Sequence, residues 1–392
     1  MHSRVGRFAL VVLSVAAVLA AGCTHRSDEE VFIAPLAPAA GRVDPGLGPG
    51  TRALSSGPGY KGSPSWNPQG DRIAFTVDGY VVDKPTGSGD FRRWTTRDFI
   101  AVDTEWISED TLMILGMAPP RSLYRARVAE DSLRPDRVEK QILAISPATD
   151  GLIFALGSGT HESWLALTRG NGEVQGLYTR PIRGHVAALS LSPEGDEAVL
   201  AVRPSGDHGI SGLRVFDLRT GKEREIAQLE GNQEIVGAPQ WTRQGIYFVA
   251  GKRDTSVDSD GSEPLYHIYR VSKDGGQPEP APGVGEDFVA ASIRVSPDGK
   301  RLAIIGRLNP ESPSNLYVLD PFTKALTTVT TNEDMEIKTG PDDLAWSPAG
   351  KSVVLIARGI PSTEPEVRAE PADRLLKDFY NLYEIPVGGS PR

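Results

Sequence analysis

One short turn sequence recurs along the chain, and it limits the possible folds more than any other feature. Four close copies place a Ser-Pro-x-Gly or Asn-Pro-x-Gly turn in front of an apolar, strand-like run, and they begin at Ser65, Ser190, Arg294 and Ala345. Proline presets φ and glycine accepts a positive φ, so each copy predicts a tight hairpin between two strands. Three degenerate copies, around Trp106, Ser146 and Trp241, fill the gaps and bring the units to seven.

The spacing of the units indicates a ring of small sheets. Successive turns lie 39 to 54 residues apart when they are marked by Pro68, Ser108, Pro147, Pro193, Arg243, Pro297 and Pro348. A later strand-like run recurs at residues 123–126, 164–167, 213–217, 267–271, 315–320 and 381–385. This period, with several strands per unit, is typical of a β-propeller blade. We therefore predict an all-β propeller of seven blades, or of six if the unit at Trp106 or Trp241 is only an insertion.

The two ends of the repeat region are expected to share the last blade. The last unit ends near Ile385, whereas the strand-like run Thr51–Leu54 precedes the first unit. An N-terminal strand that completes the last blade would hide sheet edges and hold the ring together without a disulfide. The predicted organisation is a signal peptide over residues 1–22, a Pro- and Gly-rich tether over 23–50 and a propeller over 51–392.

The repeats resemble those of TolB-type propellers over about residues 52–389. The best match joins Ser296-Pro297-Asp298-Gly299 to the strand Asn315–Asp320. The resemblance implies the fold and little about function, because the matching residues form turns and core. TolB carries an α/β domain ahead of its propeller, for which the 36 residues between Cys23 and Tyr60 are too few, so a role in the Tol-Pal envelope machinery is not implied. The repeats also resemble prolyl-oligopeptidase propellers, but the Gly-x-Ser-x-Gly motif of the attached hydrolase does not occur.

The N-terminal residues predict export and a lipid anchor. Two arginines precede an apolar segment of about 14 residues, Phe8–Ala21, which is too short to cross a membrane and is typical of a secretory signal. The junction Ala21-Gly22-Cys23 resembles the lipobox of bacterial lipoproteins, with Ala20 where leucine is usual. We expect Cys23 to carry the lipid and to hold the protein on the extracytoplasmic side of the cell membrane. The alternative is an ordinary secreted protein in which Cys23 is incidental.

Charge and cysteine content exclude several kinds of partner and stabilising bond. The formal net charge of −9 makes the chain a poor partner for nucleic acid or anionic lipid, so we expect membrane attachment through the anchor only. Because the sequence contains 1 cysteine, no internal disulfide can form.

Patterns that bind metals or catalyse reactions are sparse. The 6 histidines are scattered singly, without the paired spacing of zinc sites. The best metal candidate is a calcium loop in which Asp258 and Asp260 have the right spacing, but His267 stands where the final carboxylate would be. A flexible acidic loop is the alternative, and neither a catalytic residue nor a cofactor is predicted.

The tryptophans divide into two groups. Trp66, Trp106, Trp241 and Trp346 share one repeat position directly before the turn, and we expect them to pack between blades. Trp94 and Trp164 lie off that position, and of these two only Trp94 is a candidate for exposure.

Loop lengths favour one face of the ring as the binding surface. The turns after the first strands are tight, whereas the loops after the second strands are long: Arg203–Gly212, Lys252–Leu265, Leu308–Ser314 and Arg358–Tyr380. Function concentrates on the long loops of rigid scaffolds, so we place partner binding on this face. The candidate contact residues lie in the last loop: Arg368, Arg374, Lys377 and Phe379.

These observations favour a non-enzymatic binding scaffold. The expected partner is a protein, peptide or glycan, bound on the face that carries the long loops. The alternative is a propeller enzyme of the lyase or lactonase type with a site in the central channel, which requires histidines and carboxylates that converge from several first strands. A sensor propeller that serves a membrane partner is a third possibility, and the sequence does not separate it from the first.

Overall fold

Thirty short strands and no helix make up the part of the chain that the structure describes. The structure is a computed structural model, and the described residues are 47–87, 90–95, 99–117, 122–136, 141–148, 151–157, 162–169, 174–176, 181–204, 211–229, 231, 233–252, 265–359 and 379–388. In these ranges no helix is long and apolar enough to cross a membrane. The all-β prediction is confirmed.

The strands form seven antiparallel sheets, each of which is one blade. Strand β1 (Arg52–Ala53) precedes the first blade. Blade 1 contains β2 (Lys61–Trp66), β3 (Arg72–Val77), β4 (Tyr80–Pro85) and β5 (Arg92–Arg93). Blade 2 contains β6 (Ala101–Trp106), β7 (Thr111–Gly116), β8 (Leu123–Arg127) and β9 (Ser132–Asp136). Blade 3 contains β10 (Gln141–Ala148), β11 (Gly151–Gly157), β12 (Glu162–Arg169), β13 (Val174–Gly176) and β14 (Ile182–Arg183).

The remaining blades repeat this plan. Blade 4 contains β15 (His185–Leu191), β16 (Glu197–Arg203), β17 (Gly212–Asp217) and β18 (Glu223–Gln228). Blade 5 contains β19 (Gln233–Thr242), β20 (Gly245–Lys252), β21 (Tyr266–Val271) and β22 (Glu279–Pro280). Blade 6 contains β23 (Val289–Val295), β24 (Leu302–Arg307), β25 (Asn315–Asp320) and β26 (Ala325–Thr328). Blade 7 contains β27 (Met335–Ile337), β28 (Leu344–Trp346), β29 (Ser352–Gly359), β30 (Asn381–Pro386) and β1. The prediction of seven blades is confirmed.

Each repeated turn joins the first strand of a blade to the second. In blade 6, Gly299 has a φ of 70°, its amide donates to the Ser296 carbonyl at 2.8 Å, and the Arg301 amide donates to Ser296 Oγ at 2.9 Å. We call the side that carries these turns the tight-turn face. The connections after the second strands and between blades lie on the opposite, long-loop face, because strand direction alternates within a blade.

The N-terminal strand completes the last blade, as the sequence predicts. Strand β1 pairs with β30, with Arg52 opposite Glu384, and these two side chains form an ion pair at 2.5 Å. The Leu54 amide donates to the Leu382 carbonyl at 2.8 Å, and the Leu382 amide donates to Ser55 Oγ at 2.9 Å. The chain ends of the ring are therefore joined by sheet hydrogen bonds and one exposed ion pair.

The core lies between neighbouring blades, and the four tryptophans of the repeat position belong to it. Trp66, Trp106, Trp241 and Trp346 are 8%, 4%, 4% and 8% exposed, which confirms the prediction. The expectation for Trp94 is wrong: this residue is 8% exposed and packs between blades 1 and 2. Its Nε1 donates to Asp83 Oδ1 at 2.7 Å, so the partner that lets the indole be buried comes from β4.

The inner strands are irregular, and the last blade is the most irregular. A register shift interrupts the pairing of the first two strands in each of blades 1 to 6. In blade 7 the inner strand is split: β27 and β28 both pair with β29, and the segment Lys338–Asp343 lies between them. These departures change what the inner strands present to the centre of the ring.

Candidate functional site

The inner strands of the seven blades surround a central channel. Its cavity has a volume of about 810 Å³ and is lined by residues of β2, β6, β10, β15, β19, β23 and β28. The turn prolines Pro147, Pro193, Pro297 and Pro348 also line it. The cavity therefore extends to the tight-turn face.

Four charged side chains line this cavity among the described residues. Asp103 and Glu105 belong to β6, Arg294 belongs to β23, and Asp342 lies in the segment that splits the inner strand of blade 7. Glu105 and Arg294 occupy the same repeat position, directly before the residue that precedes the turn. The other blades place small or uncharged residues there: Ser65, Ala144, Ser190, Gln240 and Ala345. Because the repeat brings this position of every blade to one level of the channel, the two opposite charges lie at the same level.

Only one of the three carboxylates forms an ion pair in the channel. Arg294 Nη2 lies 2.7 Å from Asp342 Oδ1. Glu105 Oε2 accepts a hydrogen bond from Ser65 Oγ at 3.2 Å, and Asp103 Oδ1 accepts one from the amide of Thr104 at 2.8 Å. Neither Asp103 nor Glu105 is ion-paired with a described residue. The channel therefore holds two more acidic groups than basic ones.

The surroundings shift the protonation of both unpaired carboxyl groups. Burial raises the pKa of Asp103 well above its usual value, and the negative charges of Asp342 and Glu105 add to the effect. Burial also raises the pKa of Glu105 to about 7, although Arg294 and the Ser65 hydroxyl favour its ionised form. Glu105 can therefore gain or lose a proton near neutral pH.

The split inner strand of blade 7 closes the channel toward the long-loop face. The segment Lys338–Asp343 crosses toward neighbouring blades: the Pro341 carbonyl accepts from Ser292 Oγ at 3.1 Å, and Lys338 Nζ donates to the Lys61 carbonyl at 2.7 Å. Pro341 also packs against Gly237, where β19 bulges. The residues that begin the inner strands do not line the described cavity. The cavity thus ends at this segment and opens at the tight-turn face.

The long-loop face has a different character, because it exposes large apolar side chains. Among the described residues the exposed large hydrophobic side chains are Tyr60, Ile100, Met117, Leu265, Leu308 and Phe322. The first five lie in connections on the long-loop face, and Phe322, in the turn between β25 and β26, lies on the tight-turn face. The apolar exposure is therefore strongly biased to one side of the ring.

Three of these residues, Tyr60, Ile100 and Met117, lie with Tyr380 on neighbouring connections of blades 7, 1 and 2, and we call this set the apolar strip. The Tyr60 and Tyr380 rings meet edge to face at 6.3 Å. The Tyr60 carbonyl accepts from the Asp78 amide at 2.9 Å, and the Ile100 carbonyl accepts from the Met117 amide at 2.7 Å. Ile100 packs beside Gly79, which follows Asp78. The strip runs from blade 7 over blade 1 to blade 2.

Two cations flank the tyrosine end of the apolar strip. Lys338 Nζ lies 3.9 Å from the centre of the Tyr60 ring, and the Arg358 guanidinium lies 4.7 Å from that of Tyr380. Glu336 pairs with Arg358 and accepts a hydrogen bond from the Tyr380 hydroxyl. These contacts hold both rings in place at the surface.

Most residues that the sequence singles out for binding lie outside the described residues. This is the case for Cys23, for the calcium candidates Asp258 and Asp260, and for three of the partner candidates, Arg368, Arg374 and Lys377. Phe379 is described and half-buried, and its carbonyl accepts from Asn381 Nδ2 at 2.9 Å. His267 Nδ1 lies 2.9 Å from the Phe288 carbonyl.

Sequence reasoning missed the channel charges. It required carboxylates from several first strands in register, and it did not compare the residue three positions before each marker across the seven units. That comparison singles out Glu105 and Arg294, the two charged residues among seven otherwise small or neutral ones. Nothing in the repeat indicates Asp342, because it lies in the insertion that splits an inner strand.

Comparison with known proteins shows the fold and no family. No family model matches the chain, and no curated protein matches it.

Within the part of the chain that the structure describes, no three His, Cys, Asp or Glu side chains are grouped so that they could hold a metal ion.

Several solved structures share the propeller. An oligogalacturonate lyase in complex with manganese has a TM-score of 0.57 at 13% identity, over 86% of this chain and 93% of that chain. The oligogalacturonate lyase of Vibrio parahaemolyticus has a TM-score of 0.53 at 11% identity, over 87% of this chain and 94% of that chain. The hydrazine synthase of Kuenenia stuttgartiensis has a TM-score of 0.57 at 15% identity, over 81% of this chain and 99% of that chain. This chain is thus a seven-bladed β-propeller whose structural neighbours include enzymes.

Proposed function

We propose that this chain is a membrane-anchored, extracytoplasmic β-propeller that binds a protein, peptide or glycan partner through its long-loop face and catalyses no reaction. A distant kinship with TolB-type propellers and a lipid on Cys23 are parts of the same proposal. The observation that carries it is the apolar strip. Exposed apolar surface gathered on one face is a common mark of an interaction site, whereas single exposed hydrophobic residues need no explanation.

The two cations beside the apolar strip, Lys338 and Arg358, also support its role as a surface that binds a partner. Tyrosine rings held by neighbouring cations keep a fixed orientation, so they lose little conformational freedom when a partner binds. The strip also adjoins the connection that contains Arg368, Arg374, Lys377 and Phe379, because Tyr380 follows Phe379 directly. We therefore keep these four residues as proposed contacts.

Site-specific photo-cross-linking tests the choice of face. A photoreactive amino acid would replace Met117 or Leu308 in one set of variants and Phe322 in another, and each would be illuminated in intact cells. We expect a partner adduct from Met117 and Leu308 and none from Phe322, the matched exposed residue on the tight-turn face. Adducts from Phe322 alone would move the partner to the other face.

The anchor has its own test. Mass spectrometry of the membrane fraction should find a mature protein that begins with acylated Cys23. A Cys23→Ser variant should be released from the membrane or remain uncut. A mature N-terminus elsewhere, or an unmodified Cys23 in the membrane fraction, would contradict the anchor and leave the proposed partner surface untouched.

An enzyme with its site in the channel is a second candidate, and the position of Glu105 favours it. A carboxyl group with a pKa of about 7 beside Arg294 is suited to general acid–base chemistry. The three carboxyl groups of the channel argue against a polyuronate substrate, since each of them that ionises repels a polyanion. Assays on neutral oligosaccharides, lactones and oligogalacturonate would test this candidate. Turnover that disappears in Glu105→Gln would support it, and turnover that survives would exclude Glu105 as the acid or base.

A further inference from the structure

The central channel holds more carboxyl groups than the one basic residue of its described lining can pair with. Arg294 is paired with Asp342 at 2.7 Å, which leaves Asp103 and Glu105 without a cation of their own among the described residues. A second charged pair, Lys338 and Asp343 at 3.1 Å, lies within the segment Lys338–Asp343 and does not line the cavity. The cavity therefore has room and charge for a cation that the chain itself does not supply.

The rest of the lining restricts what kind of cation fits. The described residues do not group three ligands for a metal ion, so a bare metal is a poor match. The cavity is about 810 Å³, far larger than an ion, and Ser63, Ser65, Ser190 and Gln240 add neutral polar groups to its wall. Cavities of this size hold small organic molecules or side chains of a partner.

The opening sets the direction of approach. The described cavity reaches the turn prolines on the tight-turn face, and the segment Lys338–Asp343 closes it on the other side. A ligand therefore enters between the turns, reaches Glu105 at the level of Ala345, and meets Asp103 two residues further in, with its leading end. A slender group on a flexible stem suits such a path better than a broad ring system.

We propose that the channel is a one-ended pocket for an organic cation, a primary ammonium or guanidinium group, which Asp103 and Glu105 bind while Arg294 and Asp342 stay paired beside them. Two sources share this chemistry: a free polyamine and the Lys or Arg side chain of a peptide. The proposal goes beyond the long-loop face, since the pocket opens on the opposite side of the ring. Either surface can fail in experiment without the other.

Calorimetric titration of the full chain tests the pocket. The probes are spermidine and the tripeptide Gly-Lys-Gly with an acetylated N-terminus and an amidated C-terminus, and the uncharged controls are 1,8-octanediol and Gly-Gln-Gly blocked in the same way. We expect the cationic probes to bind and the uncharged ones not to bind. Affinity should rise about tenfold between pH 5 and pH 7.5, because Glu105, whose pKa is raised to about 7, ionises over this range while the probe keeps its charge. Binding of spermidine alone would indicate a free polyamine, and binding of the peptide alone would indicate a partner's side chain.

Two double variants separate the pocket from the acidic surface. Asp103→Asn with Glu105→Gln should weaken cationic probes at least about tenfold, since both counter-charges are lost. Glu286→Gln with Asp287→Asn removes the same charge from two exposed positions and should leave affinity unchanged. Equal weakening in both variants would show surface screening only and would overturn the proposal, as would the absence of cationic probe binding.

A labelling experiment gives a second measurement that does not depend on the choice of ligand. Ala188→Cys, in a Cys23→Ser background, places one thiol in the channel wall. We expect a trimethylammonium methanethiosulfonate reagent to modify it faster than a sulfonate reagent of similar size. The preference should fall when Asp103→Asn and Glu105→Gln are added. Equal rates for the two reagents in the parent background would refute an anionic channel.

Discussion

The central channel and the long-loop face are built from the same blades, yet they have opposite chemistry. The channel gathers Asp103, Glu105, Arg294 and Asp342 inside a wall of small residues, whereas the long-loop face gathers exposed apolar side chains on connections between strands. Both arise where a blade departs from the repeat: one charged residue at an otherwise neutral position, or one longer connection. A repeat supplies the scaffold, and its exceptions supply the surfaces that can bind.

The largest expected effect comes from the packing that supports both regions. Trp346 is 8% exposed, its ring lies 5.0 Å from the Arg301 guanidinium, and its Nε1 donates to the Arg294 carbonyl at 2.9 Å. Trp346→Ala should lower the free energy of unfolding by about 3 to 5 kcal/mol, because a large buried side chain leaves a cavity. Denaturant unfolding measures the loss.

A milder variant then shows whether Trp346 also positions the channel. Trp346→Phe keeps most of the volume and removes the N–H group, so most of the stability should remain while probe binding in the channel changes. A loss below about 1 kcal/mol in Trp346→Ala would show that this indole is not part of the core.

An intermediate effect, of the opposite sign, is expected in the channel. The pKa of Glu105 is raised to about 7, so the folded protein holds this proton more tightly than the unfolded chain does. Stability from this group is therefore present at low pH and is lost as pH rises through the window from the ordinary glutamate pKa to about 7. At pH 8, Glu105→Gln should have a free energy of unfolding up to about 3 kcal/mol higher than that of the parent, and so a higher unfolding temperature, with no gain near pH 4.

Thermal unfolding at both pH values measures this difference, and Glu286→Gln is the matched control. Glu286 is exposed, so its replacement should shift stability equally little at either pH. A Glu105→Gln variant that is less stable than the parent at pH 8 would mean that Glu105 stays ionised and stabilises the ring through Arg294.

The smallest effect on folding is expected on the long-loop face. Ile100 and Met117 are 48% and 45% exposed, so Ile100→Ser and Met117→Ser should each change the free energy of unfolding by less than about 1 kcal/mol. Partner adducts from a photoreactive residue at Leu308 should nevertheless decrease in these variants. Phe322→Ser removes an exposed apolar residue from the tight-turn face and should change neither quantity. A serine variant with unchanged adducts would exclude the apolar strip from the partner surface.

Local chemistry and period were enough to predict the fold. Pro and Gly fix the turn at Ser296-Pro297-Asp298-Gly299 whatever surrounds it. A repeat period of 39 to 54 residues is typical of a propeller blade. The strand before the first unit had to pair with the last, because an open ring would leave exposed edges. The four tryptophans of the repeat position were placed correctly for the same reason: a shared position in a repeat has a shared environment.

Tertiary structure alone decided the rest, because it depends on contacts between distant parts of the chain. Trp94 is buried because Asp83 of a neighbouring strand accepts a hydrogen bond from its indole N–H. No local sequence pattern predicts this hydrogen bond. Glu105, Arg294 and Asp342 come from three blades and meet only when the ring closes, and their altered protonation follows from that meeting. The sequence by itself determined the propeller, because the signals for this fold are local and repeated. Residues that break the repeat produced the charged channel, its closed end and the one-sided apolar face. The consequences of these residues exist only in the folded ring.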